Sequence, residues 1–168
     1  MTPSDGEVTI REFVAGDEGA FRRLNEEWIH RYFSMEAKDE EALSDPWGSI
    51  IHPGGRIFLA IRDGQPVGCC ALVAAHPGDF EVVKMAVTES CQKSGIGRKL
   101  LARVIAEARA AGAERLHLET NGRLTPAIRL YESLGFTHIP PERIPPSPYV
   151  RAEVFMELLL QQPMRMPV

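Results

Sequence analysis

Apolar and polar positions alternate over Val8–Val14, and this period of two predicts a first strand. The period then lengthens. Phe21, Leu24, Trp28 and Tyr32 fall on one stripe of a helix running to about Phe33, with Asp17 at its capping position. Ala37–Leu43 reads as a second, short helix, stopped by Asp45-Pro46. Three strands follow, each introduced by a turn: Arg56–Ile61 after Gly54-Gly55, Pro66–Ala75 after Asp63-Gly64, and Phe80–Val87 after His76–Asp79. Ile96, Leu100, Leu101, Val104, Ile105 and Ala108 recur at helical spacing over Gly95–Ala111, and Gly112 stands where a C-terminal cap belongs.

Glu114–Thr120 is the next strand. It is reached from Phe80–Val87 through a helix, so the pair is predicted parallel with a right-handed crossover. Another helix begins at Leu124 or Thr125 with Pro126 in its first turn, carries Ala127, Leu130, Tyr131 and Leu134 on one stripe, and ends at Gly135. Phe136–Ile139 reads as a short strand. Pro140–Pro148, with five prolines, reads as an irregular loop, and Val150–Leu160 as the last strand. The tail Gln161–Val168 is expected to fray.

At 168 residues, 44% apolar and 25% charged, the chain is expected to form a single domain over 1–168 with a real core. A net charge of −4, with both signs mixed along the chain, gives no basic face, so no nucleic-acid partner is expected. No apolar run approaches the roughly 20 residues that span a bilayer, so no membrane partner is expected. Met1–Glu7 lacks the cationic and apolar regions of a signal peptide. Cys69, Cys70 and Cys91 fit a reducing, cytoplasmic setting, and adjacent Cys69 and Cys70 should face opposite sides of a strand. His52, His76, His117 and His138 lack metal-type spacing and read as turn or surface residues, so no metal is expected.

The candidate chemistry begins where the run Glu81–Val87 breaks and Gln92-Lys93-Ser94-Gly95-Ile96-Gly97-Arg98 opens a helix. Unpaired amides and the helix dipole make such a junction an anion seat, and a diphosphate fits it. Gly95 and Gly97 remove side chains where a ligand would approach the backbone, and Lys93, Arg98 and Lys99 add positive charge. A dinucleotide fold also carries such a turn. Here, however, the preceding strand follows hairpins, and no strand-end acidic residue stands in register for a ribose.

Gln92, Gly95 and Gly97 form a Gln/Arg-x-x-Gly-x-Gly signature. Asn121 follows, then Ala127–Phe136 with its Leu-Tyr-x-x-x-Gly-Phe pattern. On these residues the chain resembles the GNAT superfamily of acyl-CoA-dependent N-acetyltransferases over almost its whole length. The resemblance implies an α/β (α+β) fold. Its mixed, mostly antiparallel sheet would have about seven strands flanked by about four helices, with the parallel fourth and fifth strands splayed. It implies that acetyl-CoA lies in the gap between Phe80–Val87 and Glu114–Thr120. The pantetheine arm would run along Met85, Ala86 and Val87, with the thioester carbonyl at the Met85 N–H. The diphosphate would take main-chain amides of Gln92, Lys93, Ser94, Gly95, Ile96, Gly97 and Arg98. Asn121, Ala127 and Tyr131 would meet the pantetheine and thioester end.

In the family a tyrosine at the place of Tyr131 protonates the departing thiolate, although its stripe position also suits a core residue. Asn121 also suits a turn after the strand. The acceptor is expected to be a primary amine of a small molecule or peptide, attacking directly without an acyl-enzyme. Cys91 sits in the phosphate turn, away from the thioester. An ammonium with a pKa of about 10.4 must first lose a proton. Glu81 is the candidate base, with Glu119 or a water chain as alternatives. The resemblance places the acceptor cleft between Trp28–Leu43 and Pro140–Tyr149. Glu26, Glu27, Glu36, Asp39, Glu40 and Glu41 give it either an acidic rim or a solvated helix face. Trp28, Tyr32 and Phe33 suit an apolar cleft end or the core. A homodimer and a non-catalytic acyl-CoA-sensing module both stay open.

Overall fold

The computed structural model describes residues 6–160, so the tail reading and most of the N-terminal one fall outside the described residues. Seven strands, β1 (Val8–Glu12), β2 (Arg56–Arg62), β3 (Gln65–His76), β4 (Asp79–Val87), β5 (Arg115–Thr120), β6 (Thr137–His138) and β7 (Val154–Leu159), form one sheet in the order β1-β2-β3-β4-β5-β7-β6. Only β4 and β5 are parallel, joined by the crossover helix α3 (Ile96–Ala110). The other helices are α1 (Glu18–Tyr32), α2 (Ala37–Ser44) and α4 (Thr125–Ser133).

The sheet divides two apolar cores. Leu100, Leu101 and Val104 of α3 pack with Phe58, Cys70, Val82, Leu116 and Met156 on one face. Phe21 and Leu24 of α1 and Leu43 pack with Ile57, Leu59, Cys69 and Ala86 on the other. Cys69 and Cys70 thus face opposite sides as the pleat requires, and all three cysteines are buried free thiols.

The structure departs from the hydropathy pattern at several places. Asp17 occupies the cap position of α1, but its carboxylate turns back to accept from Val14 N at 2.8 Å and from Arg11 at 2.7 Å. β1 ends at Glu12 rather than Val14, although Phe13 N still donates to Ile57 O at 2.9 Å. Trp47–Ile51 forms a single wide turn closed by His52 N donating to Trp47 O at 2.8 Å, too short to show a periodicity. β7 begins at Val154 instead of Val150, because Glu36 captures the Val150 N–H at 3.0 Å and the Arg151 guanidinium at 3.1 Å. The proline loop contains one short helical turn, Pro141–Arg143.

Two features of β4 position the site. Opposite β3, Ala71 pairs with Val83 but Cys69 pairs with Ala86, so β4 carries one extra residue. Lys84 takes φ +54° at this bulge, a conformation rare for a side chain with a Cβ. Opposite β5, pairing runs only over Asp79↔Arg115, Phe80↔Leu116 and Glu81↔His117, and beyond it the two strands part.

Gly55 enters β2 under tight constraint: a Cβ there would stand 2.2 Å from Leu72 O and 2.5 Å from Ile50 O. Both are main-chain atoms, so Gly55→Ala is expected to cost roughly 1–3 kcal/mol, read from the urea midpoint. An unchanged midpoint would mean that the β2–β3 edge yields without strain.

Candidate active site

A cavity of about 150 Å³ opens where β4 and β5 separate. That is room for several waters, hence for a ligand segment. Glu81 and Met85 of β4, Glu119 and Asn121 at the end of β5, and Ala127 and Tyr131 of α4 all line it, as do Trp28 and Phe33. Tyr32 stacks behind Trp28, with ring centroids 5.9 Å apart. Ala86 points instead into the α1 core, and the Ile96 side chain into the α3 core, so any role for either in binding rests on its backbone. Val87 packs partly buried against the α3 core.

The glycine turn is built from its own side chains. Gln92 Nε2 donates to Val87 O at 3.1 Å, and Ser94 Oγ donates to Cys91 O. Lys93 and Gly95 take φ +68° and +83°. The first α3 bond runs from Lys99 N to Gly95 O at 3.1 Å, leaving the Ile96, Gly97 and Arg98 amides without a helical partner. No atom lies within 4 Å of where a Gly95 Cβ would stand, so the space over this turn is open. A Cβ at Gly97 would stand 3.4 Å from Leu130 Cδ2, in van der Waals contact, so α3 and α4 run close beside the turn. Arg98 Nη2 donates to Ser133 Oγ at 2.8 Å, which ties the same two helices.

Tyr131 lies 5.9 Å from the Phe136 ring and is largely buried, yet its hydroxyl has no hydrogen-bond partner among the described residues. Burial pushes its phenol above the ordinary value, so it keeps its proton at neutral pH. Asn121 is buried, and its amide is engaged at both ends: Nδ2 donates to Arg151 O and Oδ1 accepts from Arg123 N, both at 2.9 Å. It joins the end of β5 to the loop before β7. Cys91 does not line the cleft; it is buried beside Arg62 and Ser90.

Of the two readings of the acidic residues, rim or solvated face, the rim is partly neutralised by ion pairs. Arg22 pairs with Glu26 at 2.6 Å and Glu40 at 2.8 Å, Lys38 with Glu41 at 3.4 Å, and Arg151 with Glu36 at 3.1 Å. Glu27 accepts from Thr88 Oγ1 at 3.0 Å and from Glu89 N at 3.1 Å. Asp39 is fully buried rather than on the rim. It accepts from Lys84 Nζ at 2.6 Å and from Arg151 Nη2 at 2.7 Å. Lys84 Nζ also meets Tyr149 Oη at 3.1 Å, and the Arg151 guanidinium stacks 4.6 Å from the Tyr149 ring. Burial pushes the Asp39 carboxyl up, but the bonds from Arg151 and Lys84 prevail and hold it at about 2. Lys84 goes the other way: its burial lowers the ammonium pKa despite Asp39.

Glu81 is held above the usual carboxylate range, first by burial and then by the charge of Glu119; His117 and Lys84 oppose this. Glu119 Oε2 accepts from Ser147 Oγ at 2.6 Å. The residues missed from sequence were Lys84, Tyr149, Arg151 and His117. A lone lysine inside the apolar run Val82–Val87 was a signal for the first. The alternation Arg115-His117-Glu119 puts His117 inside a strand rather than in a turn or on a loop. Among the described residues no group of three or more His, Cys, Asp or Glu is placed to hold a metal ion, and no helix is long and apolar enough to cross a membrane.

The Acetyltransferase (GNAT) family model matches residues 21–136. The chain is 37% identical to mycothiol acetyltransferase of Thermomonospora curvata over 143 residues, 82% of this chain but only 46% of that longer protein. An acetyltransferase of the GNAT family from Staphylococcus aureus superposes with a TM-score of 0.84 at 20% identity, covering 92% of this chain and all of the other. A candidate acetyltransferase from Salmonella typhimurium, solved with its cofactor acetyl-CoA, superposes at 0.74 with 22% identity over 96% of this chain and 98% of its own. At these identities the two structures speak to fold alone.

The Asp39 cluster makes acid stability predictable. A carboxylate lowered from 3.8 to about 2 contributes stability that is present above pH 3.8 and is lost as pH falls through 2. That shift is worth about 2 kcal/mol. Asp39→Asn is expected to lose roughly 3–5 kcal/mol at neutral pH, because it leaves Lys84 and Arg151 buried without their counter-charge. Urea titrations between pH 7 and pH 2 measure both effects; a variant as stable as the parent would make the cluster ornamental.

Proposed function

This chain is a member of the GNAT acetyltransferase family, and from that premise we propose that it moves an acetyl group from acetyl-CoA to a primary amine of a small molecule or peptide by direct attack. The observation that supports this most is the parting of β4 from β5 just beyond Glu81↔His117, with an open glycine turn leading into α3. When bound, acetyl-CoA supplies an acetyl thioester open to an amine nucleophile.

The residues present fit that group. The Ile96, Gly97 and Arg98 amides are free of the helix, and the open face of Gly95 leaves room for a diphosphate beside them. Gln92, Lys93 and Ser94 hold the turn in shape, with the first and last spending their side chains on main-chain carbonyls. Main chain from Met85 through Ala86 to Val87 would carry the pantetheine arm as an added strand. Ala127 is small enough to leave the space beside Asn121 and Tyr131 open.

Each polar group in the cleft then has a task set by its environment. Glu81, raised by burial and by Glu119, is a stronger base than a solvated carboxylate and takes the ammonium proton. Tyr131 keeps its proton at neutral pH and would donate it as the thiolate leaves; burial disfavours the phenolate, which takes a proton back from water once the thiol has left. Trp28 and Phe33 shield the acceptor side from water, and the paired cations at Asp39 close its floor.

Gly95→Glu would put a carboxylate into the anion seat on a backbone that disfavours any side chain. It is expected to abolish the rise in melting temperature that saturating acetyl-CoA gives the parent. An undiminished rise would remove the diphosphate assignment. Tyr131→Phe is expected to lower kcat by on the order of 10²-fold while acetyl-CoA affinity stays within about twofold. Free-thiol release over a panel of amino acids, polyamines, aminoglycosides and peptides reads turnover. Ligand stabilisation without thiol release on any of them would identify a sensing module instead.

A further inference from the structure

The seam between β4 and β5 carries a polar row of which the acetyl-transfer reading uses only Glu81 and Glu119. Asp79 and Glu81 share one side of β4, while Arg115, His117 and Glu119 share one side of β5, and the register sets Asp79 against Arg115 and Glu81 against His117. Leu116 and Leu118 turn to the α3 core, so this row lies on the opposite face. β5 sends no residue into the core beneath α1, and the row reaches solvent: the His117 side chain is 18% exposed.

His117 is held at one end and open at the other. Its Nδ1 lies 2.8 Å from Asp79 Oδ1, while Asp79 Oδ2 accepts from Arg115 Nη1 at 2.9 Å. Arg115 Nη1 also stands 3.4 Å from Nδ1, but its shorter bond goes to Asp79. A carboxylate only accepts, so Nδ1 carries the hydrogen and Nε2 keeps a lone pair. Nε2 stands 3.8 Å from Glu81 Oε2, longer than a hydrogen bond, and a small side-chain rotation or one bridging water closes that gap. The charged groups around the ring are Asp79 and Glu81 from β4, Arg115 and Glu119 from β5, and Glu157 from β7, the last opposite His117 and shared by Arg115 at 2.9 Å and Arg143 at 2.5 Å.

We propose that His117, fixed by Asp79, is the positioning residue that carries the acceptor's proton from Glu81 to solvent. The inference rests on Glu81 being the base of the proposed acetyl transfer. As the ammonium N–H bond breaks, a Glu81 O–H bond forms and nitrogen keeps the electron pair. The Glu81 O–H bond then breaks as an Nε2–H bond forms, and Asp79 steadies the imidazolium. Water then takes the proton from Nε2, the N–H bond breaking as a water O–H bond forms, which restores the neutral ring with its hydrogen on Nδ1 and leaves Glu81 in its charged form. No redox partner or metal enters the balance.

The first test needs no turnover. Nitrogen-15 NMR of the unliganded protein should show the neutral His117 ring with its hydrogen on Nδ1, and Asp79→Asn should scramble that tautomer. A neutral ring protonated at Nε2 would overturn the proposal. The second test is a pH–rate profile. His117→Gln should lower kcat about tenfold near pH 7 with the KM for acetyl-CoA unchanged, and the gap should close toward pH 10, where the amine is already neutral. Imidazole added to His117→Ala should restore part of the rate. A His117→Gln profile that superimposes on the parent, or a loss equal at every pH, would sink the relay alone. A parent that releases no thiol with any amine would sink the functional reading and the relay with it. A parent that turns over equally well as Glu81→Gln would remove the donor to His117.

Discussion

The cleft depends on one buried carboxylate. Asp39, fully enclosed at the start of α2, accepts from Lys84 on β4 and from Arg151 in the approach to β7. Three segments far apart in sequence therefore meet at a single charge. Lys84 stands at φ +54°, in a conformation that costs a residue with a Cβ free energy and persists only where its surroundings impose it. The ammonium gripped by Asp39 and the Lys84 carbonyl accepting from Cys69 Sγ at 3.2 Å are those surroundings. A bulge bends the strand that carries it, and Asp39 anchors Lys84 at this one, in the stretch where β4 no longer pairs with β5.

Pairing neutralises part of the acidic wall that α1 and α2 set beside the cleft. Arg22, Lys38 and Arg151 answer Glu26, Glu40, Glu41 and Glu36, and Asp39 is spent inside, while Glu27 meets only a hydroxyl and a main-chain amide. On the proposed reading, shape and the few polar atoms that reach the cavity then contribute to acceptor selectivity beside this remaining charge. Trp28, Phe33 and Tyr149 supply the shape. The aromatic faces also serve the ion cluster: Arg151 lies over Phe33 and Tyr149, and Lys84 over Tyr149. One set of rings thus caps a buried charge and walls a cleft.

Much of this was legible in the chain because the periods are clean. α1, α3 and α4 carry 3.6-residue stripes, β1 alternates, β2 and β3 stand out as short apolar runs between turns, and glycines at 54, 64, 78, 112 and 135 mark the joints with positive φ. What stayed hidden has a common cause: pairings between distant segments leave no local trace. Val150–Glu153 alternates like a strand, yet Glu36, more than a hundred residues away, claims its donors. Asp39 looks like any acidic residue of an exposed helix. His117 has no metal-type spacing, and its partners stand across a strand register, which local sequence does not display.

Glu81 stands at the last rung at which β4 and β5 still pair. That placement reconciles two demands that conflict elsewhere. A base must be rigid to hold its geometry, and it must face open space to meet its substrate. Main-chain pairing with β3 on one side and β5 on the other fixes the Glu81 backbone, while the residues just beyond it, freed from β5, line the cavity. The desolvation that raises its affinity for a proton comes from the same closed seam. One rung earlier the carboxylate would be walled in beside Asp79. One rung later it would lie on a bulged strand with nothing across from it. The register of three paired residues therefore sets the position of the candidate base, and also which residue of β5 stands against it.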